Sequence, residues 1–98
     1  MKKIFVIYGH YNDKSFTCAI KDTFIESAKD NGHEIDLADL YQDKFNPVFA
    51  GEKANEEIKS YQSRIEKAEV IVFIYPIWWF RAPAIVEGFI DRVFIPPW

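Results

Sequence analysis

The sequence predicts an α/β fold built on a parallel β-sheet. Two apolar, β-branched segments, Lys3–Tyr8 and Glu69–Tyr75, lack polar alternation, which is typical of strands that are covered on both faces. A third strand is predicted at Glu34–Leu40, where apolar and polar residues alternate. A segment with helical periodicity follows each strand, and this alternation indicates right-handed strand–helix–strand crossovers.

The first helix is predicted from a repeat of apolar residues at every fourth position. Ser15 is its expected N-cap, and Asn31-Gly32 supplies the stop. Its predicted buried face consists of Phe16, Ile20, Phe24 and Ala28.

The second helix is predicted at Ala54–Ala68 and the third from Pro83, a residue that suits the first turn of a helix. The third helix carries an unusually wide apolar stripe and ends at Pro96-Pro97. Gly88 lies inside this helix at a cost of about 1 kcal/mol relative to alanine, so we expect it to pack closely against another backbone segment.

Composition favours one folded domain over residues 1–98 and excludes several classes of protein. The chain is 49% hydrophobic with a formal net charge of −3, so it has no basic surplus with which to bind nucleic acid. None of its apolar runs approaches the roughly 20 residues that a membrane helix needs. Met1-Lys2-Lys3 leads directly into a strand without the features of a signal peptide, and the lone Cys18 fits a reducing compartment. We therefore expect a cytoplasmic protein without membrane insertion.

The loop after the first strand, residues 9–17, is the first candidate ligand site. Ligands in such sheets bind beyond the carboxyl ends of the strands, and a helix start offers unpaired N–H groups to a phosphate. Ser15 and Thr17 add hydroxyl donors, although both could serve only to cap the helix. The loop contains neither a Walker motif nor a dinucleotide-binding glycine motif.

Histidines and the cysteine give weaker signals. His10 follows the first strand and could donate to a phosphate or act as an acid, or it could be an ordinary loop histidine. His33 is expected to be solvated in a turn, and Cys18 is expected to serve in packing. No histidines or carboxylates occur at metal-ligand spacing, so no metal site is predicted.

The loop after the third strand, Pro76–Arg81, is the second and stronger candidate. Three adjacent rings, Trp78, Trp79 and Phe80, are costly in a loop unless something covers them, and a flat ring system would do so. Backbone N–H groups from Ile77 to Phe80 could bind the edge of such a ring. A corner of the core is the alternative reading.

These segments resemble those of one known family. The matching pieces are KIFVI with Gly9-His10, Ser15-Phe16 with Ala19, Asp39-Leu40-Tyr41 with Phe45-Asn46-Pro47, EVIVF at 69–73, PIWWF at 76–80 with Pro83-Ala84, and GFIDRVF at 88–94. The chain resembles the flavodoxin-like NAD(P)H:quinone oxidoreductases, which include ancillary flavoproteins of potassium efflux systems and general stress proteins.

Membership in this family implies FMN or FAD at the two loops, with NAD(P)H as co-substrate and two-electron, ping-pong hydride transfer to quinones. FMN is favoured because nothing in the chain could hold an adenine. The resemblance assigns the flavin phosphate and ribityl chain to His10, Ser15, Phe16, Thr17 and Ala19. It assigns the isoalloxazine to Pro76, Ile77, Trp78, Trp79 and Phe80. Trp79 and Phe80 would also wall the nicotinamide and quinone site.

The resemblance also implies a homodimer, which would explain the wide apolar stripe on the third helix. Members continue with two further strand–helix units in the strand order 2-1-3-4-5, so this chain is expected to supply strands 2-1-3 and to expose the edge of Val70–Tyr75. A truncated product, a swapped dimer and a half completed by another chain all fit that pattern. The alternative to an enzyme is a catalytically incomplete binding or regulatory module, or a remnant of the family.

Overall fold

β1 (Lys3–Tyr8) is the central strand of a three-stranded parallel sheet in the order β2-β1-β3. The computed structural model describes residues 1–96. The remaining elements are α1 (Phe16–Asp30), β2 (Glu34–Asp39), α2 (Glu56–Lys67), β3 (Val70–Ile74) and α3 (Ala84–Val93). The predicted fold class and strand order are confirmed, and each predicted element is present with its ends shifted by at most two residues.

Alternate side chains of β1 enter two separate cores, which explains why the strand is apolar throughout. Phe5 and Ile7 pack on the side of α2 and α3, whereas Val6 and Tyr8 pack on the side of α1. All four are nearly or fully buried. The sheet is therefore the middle of three layers.

The buried face of α1 differs from the predicted one. Ala28 and Cys18 are buried, but Ile20 is exposed and Phe16 is 82% exposed. Only the far end of the predicted stripe, Phe24 and Ala28, reaches the α1 core. The helix carries two apolar stripes, and the one that begins at Phe16 faces a shallow groove on the outside of α1, where no other element of residues 1–96 covers it.

Most of the wide apolar stripe of α3 is buried against other elements of the same chain. Ile85, Val86, Phe89 and Val93 all enter the core beside α2. A β-carbon on Gly88 would collide with the backbone of Pro47, so the predicted close packing is confirmed. Of the predicted stop at Pro96-Pro97, Pro97 lies outside the described residues, and the helix itself ends at Val93.

The outer edge of β3 has no paired strand within residues 1–96. Val70, Ile71 and Phe73 are 38%, 40% and 37% exposed, which confirms the expected apolar edge. A groove of about 440 Å³ runs between this edge and α1 and is lined in part by Phe24 and Val72. None of the helices in the described part of the chain has the length and apolar character needed to cross a membrane.

Candidate functional site

The loop after β1 begins against the end of β3. The Gly9 N–H donates to the carbonyl of Ile74 at 3.1 Å, and a β-carbon at position 9 would overlap the side chain of Val86. This close approach places His10 at the carboxyl edge of the sheet. The His10 Nδ1 accepts a hydrogen bond from the Asn12 N–H at 2.9 Å, so the ring proton resides on Nε2, which is left to donate.

The start of α1 leaves backbone donors open. The Ser15 Oγ accepts from the Cys18 N–H at 3.0 Å, so the capping role weighed for Ser15 is present. Thr17 makes no corresponding side-chain bond to the helix within residues 1–96. The N–H groups of Phe16 and Thr17 have no protein acceptor in the same part of the chain. Together with the helix dipole they form a place where an anionic oxygen is stabilised.

A two-residue hairpin turn presents the rings of the second loop. The Trp78 N–H donates to the Arg81 carbonyl at 2.9 Å, and the Arg81 N–H donates back at 3.1 Å. The residues between them, Trp79 and Phe80, have φ angles of 54° and 61°, as in a type I′ turn. Such turns favour asparagine and glycine, and bulky residues occupy them only at a cost of roughly 1–3 kcal/mol each.

The strained turn also holds its two rings in solvent. Trp79 is 85% exposed and Phe80 is 97% exposed, so intramolecular packing does not repay the strain. Strain of this kind is concentrated at functional sites. Of the backbone donors expected here, Trp78 is used within the turn, whereas the N–H groups of Ile77, Trp79 and Phe80 have no acceptor in residues 1–96.

Four aromatic side chains connect the loops that follow the three strands. Tyr11 stacks on His10 with ring centroids 4.9 Å apart, and Trp78 meets His10 edge-on at 5.9 Å. Tyr41, from the loop after β2, lies 6.5 Å from Tyr11. Sequence reasoning missed Tyr11 and Tyr41 as site residues, although both follow directly from strand ends and could have been found by that position.

A polar cleft of about 460 Å³ lies between the loops after β1 and β2, and His10, Tyr11 and Tyr41 form part of its wall. We call it the β1–β2 cleft. Its wall includes Tyr8, His10, Tyr11, Asp13, Cys18, Lys21, Asp39, Tyr41 and Gln42.

Two titratable side chains of the β1–β2 cleft have raised pKa values. Burial raises the pKa of Tyr8 to about 12, and Cys18 and Asp39 act in the same direction. Burial opposes the charge of Lys21, but Asp22 and Asp39 outweigh it and raise the pKa of that ammonium above its ordinary value. The Tyr8 shift thus reflects mainly burial, whereas the Lys21 shift reflects the carboxylates beside it.

The predicted site residues form three groups in space. His10 and Trp78 are in contact, whereas Trp79 and Phe80 project from the turn away from the protein. Phe16 and Ala19 line the outer groove of α1. Ile77 is exposed and Pro76 is half-buried. A flavin that reached from the α1 start to the turn would have to bridge these groups.

His33 and Cys18 have structural roles. The His33 Nδ1 accepts from the Lys2 N–H at 3.0 Å, so the expectation of simple solvation was wrong. The buried Cys18 packs in the α1 core as expected. Among residues 1–96, no group of three or more histidine, cysteine or acidic side chains is arranged to hold a metal ion.

Comparison with known proteins identifies the family. A family model described as flavodoxin-like fold matches residues 2–98. The chain belongs to the flavodoxin-like family. Its relatives include a mouse ribosyldihydronicotinamide dehydrogenase (quinone), 27% identical over 117 residues that cover 94% of this chain and 51% of the mouse protein. An uncharacterized NAD(P)H oxidoreductase of Haemophilus influenzae is 35% identical over 97 residues, or 90% of this chain and 48% of the relative.

Structural comparison gives the same picture for this flavodoxin-like chain. The NAD(P)H:quinone oxidoreductase from Methanothermobacter marburgensis superposes with a TM-score of 0.87 at 28% identity, over 95% of this chain and 53% of the other. The chain therefore spans about half the length of the relatives it matches.

Proposed function

We propose that this chain forms the flavin-binding part of an NAD(P)H:quinone oxidoreductase, with FMN as the cofactor and FAD as the alternative. The observation that carries the proposal is the turn at Trp78–Arg81, which holds two large rings in solvent on strained backbone. It lies at the carboxyl edge of a parallel sheet, where α/β folds bind ligands. The names of the mouse and Methanothermobacter proteins support quinones as the acceptors.

The residues present fit a flavin in chemical terms. The exposed faces of Trp79 and Phe80 would stack on the isoalloxazine, and the open N–H groups of Ile77, Trp79 and Phe80 would donate to its polar edge. The open N–H groups at the start of α1 would hold the phosphate, with His10 donating from Nε2. When bound, the flavin would supply the redox chemistry, taking two electrons from NAD(P)H and passing them to a quinone.

A second candidate is a flavin-binding or regulatory module that does not turn over by itself. It is favoured by the outer edge of β3, which has no paired strand within residues 1–96. A homodimer is proposed with the enzyme, because Ile90 of α3 remains exposed beside Phe94 at the end of that helix. The cytoplasm remains the proposed location, on the basis of the lone Cys18.

An absorbance spectrum of the purified protein, before and after incubation with FMN or FAD and removal of the excess, tests the proposal. Retained flavin bands that NAD(P)H bleaches and a quinone restores would establish the enzyme. Retained bands without bleaching would leave the flavin-binding module. A folded protein that retains no flavin would contradict both.

Substitution of Trp79 tests the position of the flavin. We expect Trp79→Ala to weaken flavin binding by about two- to tenfold, because one aromatic stacking interaction contributes about 0.5–1.5 kcal/mol. Phe49→Ala, which removes another exposed ring from a pocket lined by Gln62 and Ile95, is the matched control and should leave the affinity unchanged. Equal flavin affinity in the wild type and Trp79→Ala would count against the assigned pocket.

A further inference from the structure

We propose that the β1–β2 cleft binds a small organic cation of the alkylammonium or quaternary ammonium class. The cleft is separate from the exposed rings of Trp79 and Phe80, and it lies on the β2 side of the sheet, away from the open edge of β3. It is therefore outside the site proposed for the flavin ring. His10 is the one residue of the proposed flavin site that also lines the cleft.

Aromatic rings give the cleft a surface that attracts cations. Tyr11 and Tyr41 meet at 69° in its wall, and Tyr8 contributes a third ring. The ammonium of Lys21 lies 5.0 Å from the centre of the Tyr8 ring, so the cleft already holds one ammonium group in a cation–π contact. Aromatic groups of this kind are the usual means by which proteins bind quaternary ammonium ligands.

The charges of the cleft leave a negative excess. Lys21 is neutralised by Asp22, whose carboxylate lies 2.6 Å away. Asp39 uses only Oδ1, which accepts from the Gln42 N–H at 3.2 Å, and the Asp13 side chain has no bond within residues 1–96. The carboxylates of Asp13 and Asp39 thus outnumber the ammonium of Lys21 among the residues that line the cleft. This excess also disfavours a phosphate there, which separates the cleft from the flavin phosphate position.

The floor of the cleft contains a polar group without a partner. Tyr8 is only 2% exposed, and its hydroxyl has no hydrogen-bond partner in the described part of the chain. Buried polar groups are nearly always paired, so this hydroxyl is left to accept from the N–H of an alkylammonium ligand or from the O–H of choline. This observation is independent of the carboxylates.

Titration of the flavin-free protein with choline, followed by two-dimensional amide NMR, tests the proposal without any use of the redox activity. We expect saturable shifts at Tyr11, Asp39 and Tyr41, with sodium chloride at equal ionic strength as the reference. The neutral tert-butyl isostere of choline, in which carbon replaces the quaternary nitrogen, should bind at least about tenfold more weakly. Equal binding of the isostere would overturn the proposal.

Two variants localise the binding. Asp39→Asn keeps the acceptor for the Gln42 N–H and removes the charge, so it should fold and bind choline at least about fivefold more weakly. Asp30→Asn, an exposed change at the end of α1, is the matched control and should bind as the wild type does. Tyr41→Leu, which removes a ring without touching a carboxylate, should also weaken binding. Unchanged affinity in both Asp39→Asn and Tyr41→Leu would exclude the cleft.

The cation could come from a free metabolite or from a lysine side chain of another protein. A parallel titration with Nα-acetyl-lysine amide distinguishes these sources. Tighter binding of choline would assign the cleft to a free quaternary ammonium compound, and tighter binding of the lysine amide would assign it to a protein side chain. Absence of saturation with both probes would overturn the proposal.

Discussion

Trp79 and Phe80 are two bulky residues in consecutive left-handed backbone conformations. A residue with a β-carbon loses roughly 1–2 kcal/mol in this region because the β-carbon approaches the following carbonyl oxygen. The protein gains no packing in return, since both rings face solvent. The turn therefore sacrifices stability at the position where the proposed ligand would recover it.

Comparison of Trp79→Gly with Trp79→Ala should measure the backbone strain at position 79, because both variants lack the indole ring. Because glycine adopts positive φ freely, Trp79→Gly should be about 1 kcal/mol more stable than Trp79→Ala, the reverse of their order in a helix. Urea denaturation of the two variants measures this difference. If the alanine variant is the more stable one, position 79 does not occupy the left-handed region in solution.

Tyr8 should make the stability of the protein sensitive to alkaline pH. Its pKa is raised from 10.0 to about 12 by burial, with Cys18 and Asp39 adding to the effect, so the folded state holds the proton more tightly than the unfolded state. The contribution of Tyr8 to the free energy of unfolding is therefore fully present below pH 10 and is lost as the pH rises through 12.

We expect Tyr8→Phe to reduce the fall in unfolding free energy between pH 10 and pH 12. At neutral pH the variant should remain within about 1 kcal/mol of the wild type, because it removes a hydroxyl that has no partner. Urea midpoints across this pH range give the measurement. Tyr11→Phe, at an exposed tyrosine, is the control and should follow the wild type.

At the scale of elements, α1 and α2 have equivalent N-caps but different neighbours. The Ser15 Oγ accepts from the Cys18 N–H at 3.0 Å, and the Asn55 Oδ1 accepts from the Ile58 N–H at 2.9 Å. Only the start of α1 lies at the carboxyl edge of the sheet beside the loop of His10. Substitutions at the two caps therefore allow an effect on protein stability to be distinguished from an effect on flavin binding.

Both Ser15→Ala and Asn55→Ala should lower the unfolding free energy by about 1 kcal/mol, the usual effect of losing an N-cap. Only Ser15→Ala should also weaken FMN binding, because it removes a hydroxyl next to the open N–H groups of Phe16 and Thr17. Thermal unfolding and flavin titration of the two variants provide the test. Equal flavin affinity would place the phosphate elsewhere.

The elements were predictable because their signals are local. β1 could be recognised from its continuous apolar run, and the cap of α1 from a serine before helical periodicity. The cap of α2 was not predicted, because the second helix was expected to begin at Ala54, before Asn55. The orientation of α1 could not be predicted from the sequence. Periodicity identifies an apolar stripe on a helix, but it does not show whether a neighbouring element covers that stripe. The stripe from Phe16 to Phe24 and the stripe through Cys18 are both compatible with a helix.

The site was predictable in position but not in conformation. Loops after parallel strands are ligand positions by topology, and this located His10 and the rings after β3. The dipeptide Trp79-Phe80 carries none of the asparagine or glycine signals of a type I′ turn, so its backbone could not be anticipated. The β1–β2 cleft depends on Tyr41 and Asp39 meeting the β1 loop, which only the sheet register determines.

At the scale of the whole molecule, the outer edge of β3, which has no paired strand within residues 1–96, is a candidate surface for self-association. Its free backbone groups and half-exposed side chains provide a template for strand pairing. A polypeptide of residues 1–98 should therefore associate as its concentration rises.

Ile71→Lys should reduce this association, because a charge on an edge strand is costly to bury when a second strand pairs with it. Sedimentation velocity over a range of protein concentrations measures the effect. Ser63→Lys, which adds the same charge to the exposed face of α2, is the matched control and should associate as the wild type does. Equal association of the two variants would mean that contacts other than β3 dominate.

The turn at Trp78–Arg81 has a spectroscopic consequence. It contains two of the three tryptophans of the chain, one fully solvated and one half-covered by Tyr11 and His10. The emission of the unlabelled protein therefore originates largely at the proposed binding edge. A flavin stacked on Trp79 would quench that emission, whereas events in the two cores would leave the solvated indole unchanged, so the protein carries its own optical probe of the site.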